Sequence, residues 1–177
     1  MKKYDIIYTD PPWNYKGNKS TSGSCATNFY PTMSVKEMTR DIEVPAADNC
    51  LMFMWTSSPH LDQAIELGRS WGFSYSTVGF VWNKEKPNVG YYTMSQVELC
   101  LIFKRGKIPT PRGSRSVRQY LSEPRREHSR KPAEIRRRIE EMFPTQTKLE
   151  MFARTSIPGW DVMGNETDKF DHESSLL

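Results

Sequence analysis

The chain has 177 residues, and its five Trp, eight Tyr and eight Phe supply a single core for one domain. No apolar run approaches the roughly 20 residues that cross a bilayer, and Met1-Lys2-Lys3-Tyr4 enters a strand with no signal-peptide segment. Cys25, Cys50 and Cys100 are odd in number and far apart, and with His60, His128 and His172 they form neither a disulfide framework nor a metal pattern. The expectation is a soluble protein of a reducing, cytoplasmic compartment, with no membrane contact and no metal. The net charge of +4 is uneven: Lys104 to Arg138 holds thirteen Lys/Arg against three Asp/Glu, a balance of +10 that leaves −6 for the rest. Such a segment is either a solvated face or the footprint of a phosphate-rich partner.

In chain order, Tyr4 to Thr9 is β-branched and aromatic and predicts a buried strand. It runs into Asp10-Pro11-Pro12-Trp13. Each proline fixes its own φ, lacks an N–H and pushes its predecessor toward extended backbone. Asp10 and Pro11 should therefore present a carboxylate and a carbonyl that meets no local donor, beside a flat ring. A planar aromatic amine suits that set. The carboxylate takes one N–H and the Pro11 carbonyl the other, so the nitrogen lone pair localises and can face an electrophile. Trp13 would stack on the base. A lone Asp-Pro would sooner suggest a capped turn with Trp13 in the core. Asp-Pro-Pro-aromatic directly after a hydrophobic strand favours the site. The loop Asn14 to Ser24, rich in Gly, Ser and Asn, is a lid or a plain surface loop.

Ser34 and Glu37 form a capping box, stapled by Met33 and Met38, for a helix to about Arg40. Cys50 to Trp55 is a continuous apolar run, a strand buried on both faces. Pro59 at N1 starts a helix whose stripe is Leu61, Ala64, Ile65, Gly68 and Trp71, stopped by Gly72. Ser74 to Trp82 is the next strand, so this is a βαβ unit of a parallel sheet. Val97 to Phe103 is a further strand with an isolated acid, Glu98, at its start. Ser116 to Leu121 is a possible short strand. Pro132 at N1 opens a helix with Ile135, Ile139, Met142 and Phe143 on its apolar side and Arg136, Arg137 and Arg138 mostly off it. Lys148 to Arg154 is the last strand, and Thr167 to Leu177 is a polar tail. A single domain of residues 1–166 is the expected organisation. No glycine-rich dinucleotide fingerprint or Walker loop is present, which disfavours hydride and phosphoryl transfer.

Asp-Pro-Pro-Trp, Tyr30-Pro31-Thr32-Met33-Ser34, the Glu98 strand, His128-Ser129-Arg130-Lys131-Pro132 and Gly164-Asn165-Glu166, in that order, resemble the MT-A70 family of S-adenosylmethionine-dependent adenine-N6 methyltransferases. The resemblance implies an α/β, Rossmann-like methyltransferase fold, permuted so that the catalytic strand comes first and the cofactor strand last. Asp10, Pro11, Pro12 and Trp13 would be catalytic. Asp10, Lys131, Phe152, Arg154, Asn165 and Glu166 would hold S-adenosylmethionine, with Lys131 on its carboxylate. An ammonium at a helix N-terminus is a ready anion site in any case. Tyr30 would flank the base, or be a core Tyr. Glu98 would be an active-site carboxylate, or an ordinary edge-strand acid. Arg130, Arg136, Arg137 and Arg138 would grip the nucleic-acid backbone. The substrate adenine must be single-stranded or flipped from a duplex. DNA is favoured over RNA because the chain carries no RNA-binding module. The alternatives are RNA adenine-N6 methylation, cytosine-N4 methylation, or a non-catalytic nucleic-acid-binding subunit of a methyltransferase complex. A protein partner or a homodimer is compatible with each.

Overall fold

The structure is a computed structural model that describes residues 1–14, 32–127 and 130–164. Tyr30, Asn165 and Glu166, most of the proposed lid and the polar tail lie outside the described residues. Seven strands form one sheet in the order β5-β3-β4-β2-β1-β6-β7. They are β1 (Tyr4–Thr9), β2 (Ala46–Thr56), β3 (Ser74–Val89), β4 (Met94–Arg105), β5 (Tyr120–Ser122), β6 (Lys148–Met151) and β7 (Asp161–Met163). β1 pairs in parallel with β2 and with β6. β4 runs antiparallel to both its neighbours, β2 and β3. The expected βαβ unit is present, but β4 is inserted between its two strands. The reason is local: β3 reaches β4 through a hairpin, and a tight turn can only return the chain antiparallel.

The helices are α1 (Val35–Asp41), α2 (Leu61–Ser70, led by a 3-10 turn Ser58–His60) and α3 (Ala133–Met142). The capping box forms as read: the Ser34 hydroxyl accepts from the Glu37 N–H, and Glu37 Oε2 accepts from the Ser34 N–H at 2.7 Å. α3 begins one residue later than expected, with Pro132 as its cap rather than its first residue. β6 stops at Met151, because Phe152 takes a left-handed φ of 56°.

The apolar runs bury on both sheet faces. Ile7, Met52, Met54 and Phe103 pack toward α1 and α2 with Trp71 and Leu67. Tyr8, Phe53, Trp55 and Trp82 pack toward α3 with Ile135, Ile139 and Phe143. Gly68 is required for α2 to lie this close, since a Cβ there would sit 2.3 Å from the Phe103 ring.

The basic segment is not one patch. Lys104 and Arg105 pair with Leu51 and Cys50 at the start of β2, and the Lys107 N–H bonds Asn49 nearby. Arg112 lies over Phe143, at the far end of α3. These charges sit at the edge opposite the C-terminus of β1. Arg130 and Lys131, which precede α3, are at the Asp10 edge. Cys50 and Cys100 are buried free thiols, and desolvation pushes the Cys50 thiol up to about 12.

Candidate active site

β1 is where the sheet order turns, with β2 on one side and β6 on the other. In open α/β sheets the crevice beyond the strand C-termini at such a point is where ligands bind. Asp10 is the first residue past β1. Its carboxylate Oδ2 lies 3.5 Å from Lys131 Nζ, and Nζ also donates to Glu98 Oε2 at 3.0 Å. The three side chains retain 29%, 13% and 15% exposure for Asp10, Lys131 and Glu98. Glu98 faces this cluster because β4 pairs it with Trp82 at the same sheet edge. Two indoles close the floor, with Lys131 Nζ at 5.6 Å from the Trp55 ring and 6.0 Å from that of Trp82. Cations favour such ring faces.

Burial pushes the Asp10 carboxyl above its ordinary 3.8, Lys131 and Arg154 pull it back, and Glu98 adds to the rise. The result is a carboxyl whose pKa sits above its ordinary value, so that when ionised it is a better proton acceptor than an exposed one.

Below the cluster, Trp55 Nε1 donates to the Tyr8 hydroxyl at 2.6 Å. Arg136 clamps Glu150, the β6 neighbour of Tyr8, at 2.7 Å.

The Pro-Pro turn differs from its expectation in one respect. The Trp13 N–H donates to the Pro11 carbonyl at 2.9 Å, and the Met33 N–H donates to the Pro12 carbonyl at 2.9 Å. The i to i+2 bond is a γ-turn centred on Pro12, which the proline φ favours. Pro11 O therefore does meet a local donor, though a carbonyl keeps a second lone pair. Trp13 is also not an open platform. It is 6% exposed, donates Nε1–H to the Trp55 carbonyl at 3.2 Å and stacks on His60 at 5.8 Å. An indole at a strand end gains more from a backbone acceptor and a ring partner than from water. Trp13 is thus buried in the way its core reading expects.

His60 is held by the Ser57 hydroxyl at 2.8 Å, and burial lowers its pKa.

The arginines of α3 divide. Arg136 is buried against Glu150 at 14% and 15% exposure, which withdraws it from the expected backbone grip. Arg137 bonds Glu134 and Glu141. Arg138 bonds Glu134 and the carbonyls of Arg118 and Tyr120. All three are engaged within the protein: Arg136 by Glu150 of β6, and Arg137 and Arg138 by acids at helical spacing on α3.

Phe152 follows β6 in its left-handed turn, and Gly164 packs against it: a Cβ at Gly164 would meet the Ala153 nitrogen at 2.7 Å. This pinches the ends of β6 and β7 together beside Asp10. Arg154 is close enough to Asp10 to lower its pKa.

Three groups escaped the sequence reading. Trp55 and Trp82 were legible only as core. Lys84 is a buried lysine whose pKa burial lowers, with Glu98 opposing that shift and Arg125 and Lys131 adding to it. Strand alternation carries its signal, since Phe80, Trp82 and Lys84 share one face.

A mostly parallel α/β sheet with a proline-locked carboxylate at its turning point is consistent with a methyltransferase fold. The family model for MT-A70 matches residues 4–166, and the chain belongs to that family. It is 48% identical over 183 residues to the type II methyltransferase M.MunI of Mycoplasma sp, covering 93% of this chain and 78% of that protein. It is 30% identical over 196 residues to the N(6)-adenine-specific methyltransferase METTL4 of Mus musculus, covering 97% of this chain and 39% of that protein. It is 29% identical over 182 residues to a putative N(6)-adenosine-methyltransferase MT-A70-like protein of Medicago truncatula, covering 94% and 27%. The chain thus spans most of the Mycoplasma protein and well under half of the other two. The family implies a methyl donor.

Proposed function

We propose that this chain transfers a methyl group from S-adenosylmethionine to the N6 amine of adenine in nucleic acid, with DNA as the polymer. The observation that carries the reading is the Asp10 carboxylate at the sheet's turning point, beside the Pro11 carbonyl and held by Lys131 at 3.5 Å. The greater identity to a type II methyltransferase than to the protein named for adenosine supports DNA. We take the sheet to be the permuted methyltransferase arrangement: β1, the first strand, lies against β6, the strand before the Phe152 turn.

The residues present fit the cofactor by their chemistry. A zwitterionic methionine end needs a cation and carboxylates, which Lys131, Asp10 and Glu98 supply. The base needs an apolar wall, which Phe152 offers at a turn pinched against Gly164. S-adenosylmethionine, when bound, supplies an electrophilic methyl group. The chain's own work is orientation and electrostatics. Asp10 accepts one amine N–H, the second lone pair of Pro11 O accepts the other, and Asp10 takes the proton that the methylated amine sheds. Trp13 locks the turn that aims both acceptors. Glu98 holds Lys131 so that its ammonium keeps Asp10 ionised. Arg130, beside Lys131 at the Asp10 edge, is proposed to grip the backbone, with Arg137 and Arg138 in lesser roles.

The test is methyl transfer from labelled S-adenosylmethionine to DNA and RNA oligonucleotides of matched sequence, single- and double-stranded, followed by nucleoside mass spectrometry. N6-methyladenine in DNA is the expected product. Methylcytosine, or label confined to RNA, would overturn the base or the polymer assigned.

A further inference from the structure

We infer that the tip of the β3–β4 hairpin is a second nucleic-acid contact, one that takes the strand flanking the target base. The inference rests on the nucleic-acid reading above. β3 and β4 continue past the Trp82–Glu98 pair to Asn88–Ser95 and Val89–Met94, so the hairpin rises from the sheet edge that carries Asp10. At its tip Tyr92 is fully exposed, and Val89, Tyr91 and Met94 are largely so. The turn closes by a bond from the Thr93 N–H to the Tyr91 carbonyl at 2.7 Å. Tyr92 adopts a φ of 64°, a left-handed conformation that disfavours a bulky side chain. Folding gains nothing from a strained ring in water. Such strain concentrates at functional positions.

The tip is aimed. At its base Asn83 donates to the Tyr120 hydroxyl at 2.8 Å and accepts from the Glu85 N–H at 2.9 Å and from Gln96 at 3.0 Å. Ser122 donates to Glu85 at 3.0 Å. Arg125 donates to Asn88 at 2.7 Å, higher on the hairpin. This brace ties the hairpin to β5 and to the basic stretch that leads back to Lys131. Cations stand among the rings, with Lys86 on the hairpin and Arg125 bonded to the neutral Asn88, which leaves its charge unpaired by that contact, while Arg126 pairs with Glu123 at 3.5 Å. Exposed rings interleaved with cations are what a nucleic-acid strand takes: bases stack and phosphates pair.

Tyr92 lies six residues from Glu98 along the chain, so at about 3.3 Å per residue the tip is no more than about 20 Å from the cluster. With roughly 3.4 Å of helix axis per phosphate of one strand, the tip meets nucleotides within about half a dozen of the methylated base along a duplex.

The experiment measures anisotropy of end-labelled single-stranded and duplex DNA of mixed sequence with wild type, Tyr91→Ala/Tyr92→Ala and Tyr91→Phe/Tyr92→Phe. Melting and light scattering of each protein run alongside. The alanine pair should weaken binding tenfold or more at an unchanged melting midpoint, while the phenylalanine pair keeps the wild-type affinity. Unchanged affinity in the alanine pair overturns the inference. If its oligomeric state changes instead, the tip is a protein interface. Wild type that binds no DNA overturns the nucleic-acid reading and this inference with it.

Discussion

Replacing Lys131 by Met removes the one ammonium shared by Asp10 and Glu98. At 3.5 and 3.0 Å and an effective dielectric of about 20, each attraction is of order 5 kcal/mol. Desolvation of the lysine offsets much of that, and breaking a buried pair costs about 3–5 kcal/mol net. The Asp10 side chain keeps 29% exposure, which places this case at the low end. The catalytic consequence is separable from stability. Burial already raises the Asp10 carboxyl and Lys131 lowers it, so the Met variant should raise it further. Activity that needs ionised Asp10 is present above that pKa and lost as pH falls through it. The acid limb of the pH profile of kcat/KM should therefore move to higher pH in Lys131→Met and stay in place in Lys131→Arg. The assay is label incorporation into DNA across pH, beside denaturant unfolding of each variant. A folded Lys131→Met protein with an unmoved acid limb and only a raised KM for S-adenosylmethionine would refute the coupling. It would return Lys131 to the cofactor carboxylate alone.

Arg136→Leu should lower unfolding stability by about 3–5 kcal/mol in chemical denaturation, because it strands Glu150. Lost DNA affinity at unchanged stability would restore Arg136 to the backbone grip. Trp13→Phe removes the Nε1–H bond to the Trp55 carbonyl and should cost about 1 kcal/mol of stability and part of kcat, with DNA affinity intact; an affinity loss would revive Trp13 as a base platform. Asp10→Asn should melt higher than wild type at neutral pH. A carboxyl whose folded pKa is raised loses stability as pH rises from its ordinary 3.8 through the raised value, and the amide avoids that loss. The difference should vanish below 3.8, and a lower melting point at neutral pH would refute it.

The core strands and all three helices were legible because their signals are local: apolar runs at β1 and β2, stripes at α2 and α3, and the capping box at Ser34. The antiparallel β4 was not, since sequence spacing cannot say that a hairpin would insert between the strands of a βαβ unit. Nor was the length of β3, because Lys84 to Val89 carries Pro87 and charge and resembles a loop. Its pairing survives through a bulge, with register shifting between Asn83 and Asn88. The site was half legible. Asp10 and Lys131 were named, but not their proximity to each other and to Glu98, which depends on three elements meeting at one edge. The burial of Trp13 was not the favoured reading, because a ring beside a polar motif gives no sign of the carbonyl that will bury it. The basic segment looked continuous along the chain and divides across the sheet, because β4 ends at one edge and α3 begins at the other.

The most direct measurement is methyl incorporation at adenine N6 by Asp10→Ala and wild type on the same DNA, with S-adenosylmethionine binding measured by calorimetry. Asp10→Ala should bind DNA as wild type does and incorporate no label. Label on adenine at near wild-type rate in Asp10→Ala, with cofactor bound equally by both, would contradict the role of this carboxylate in holding the amine.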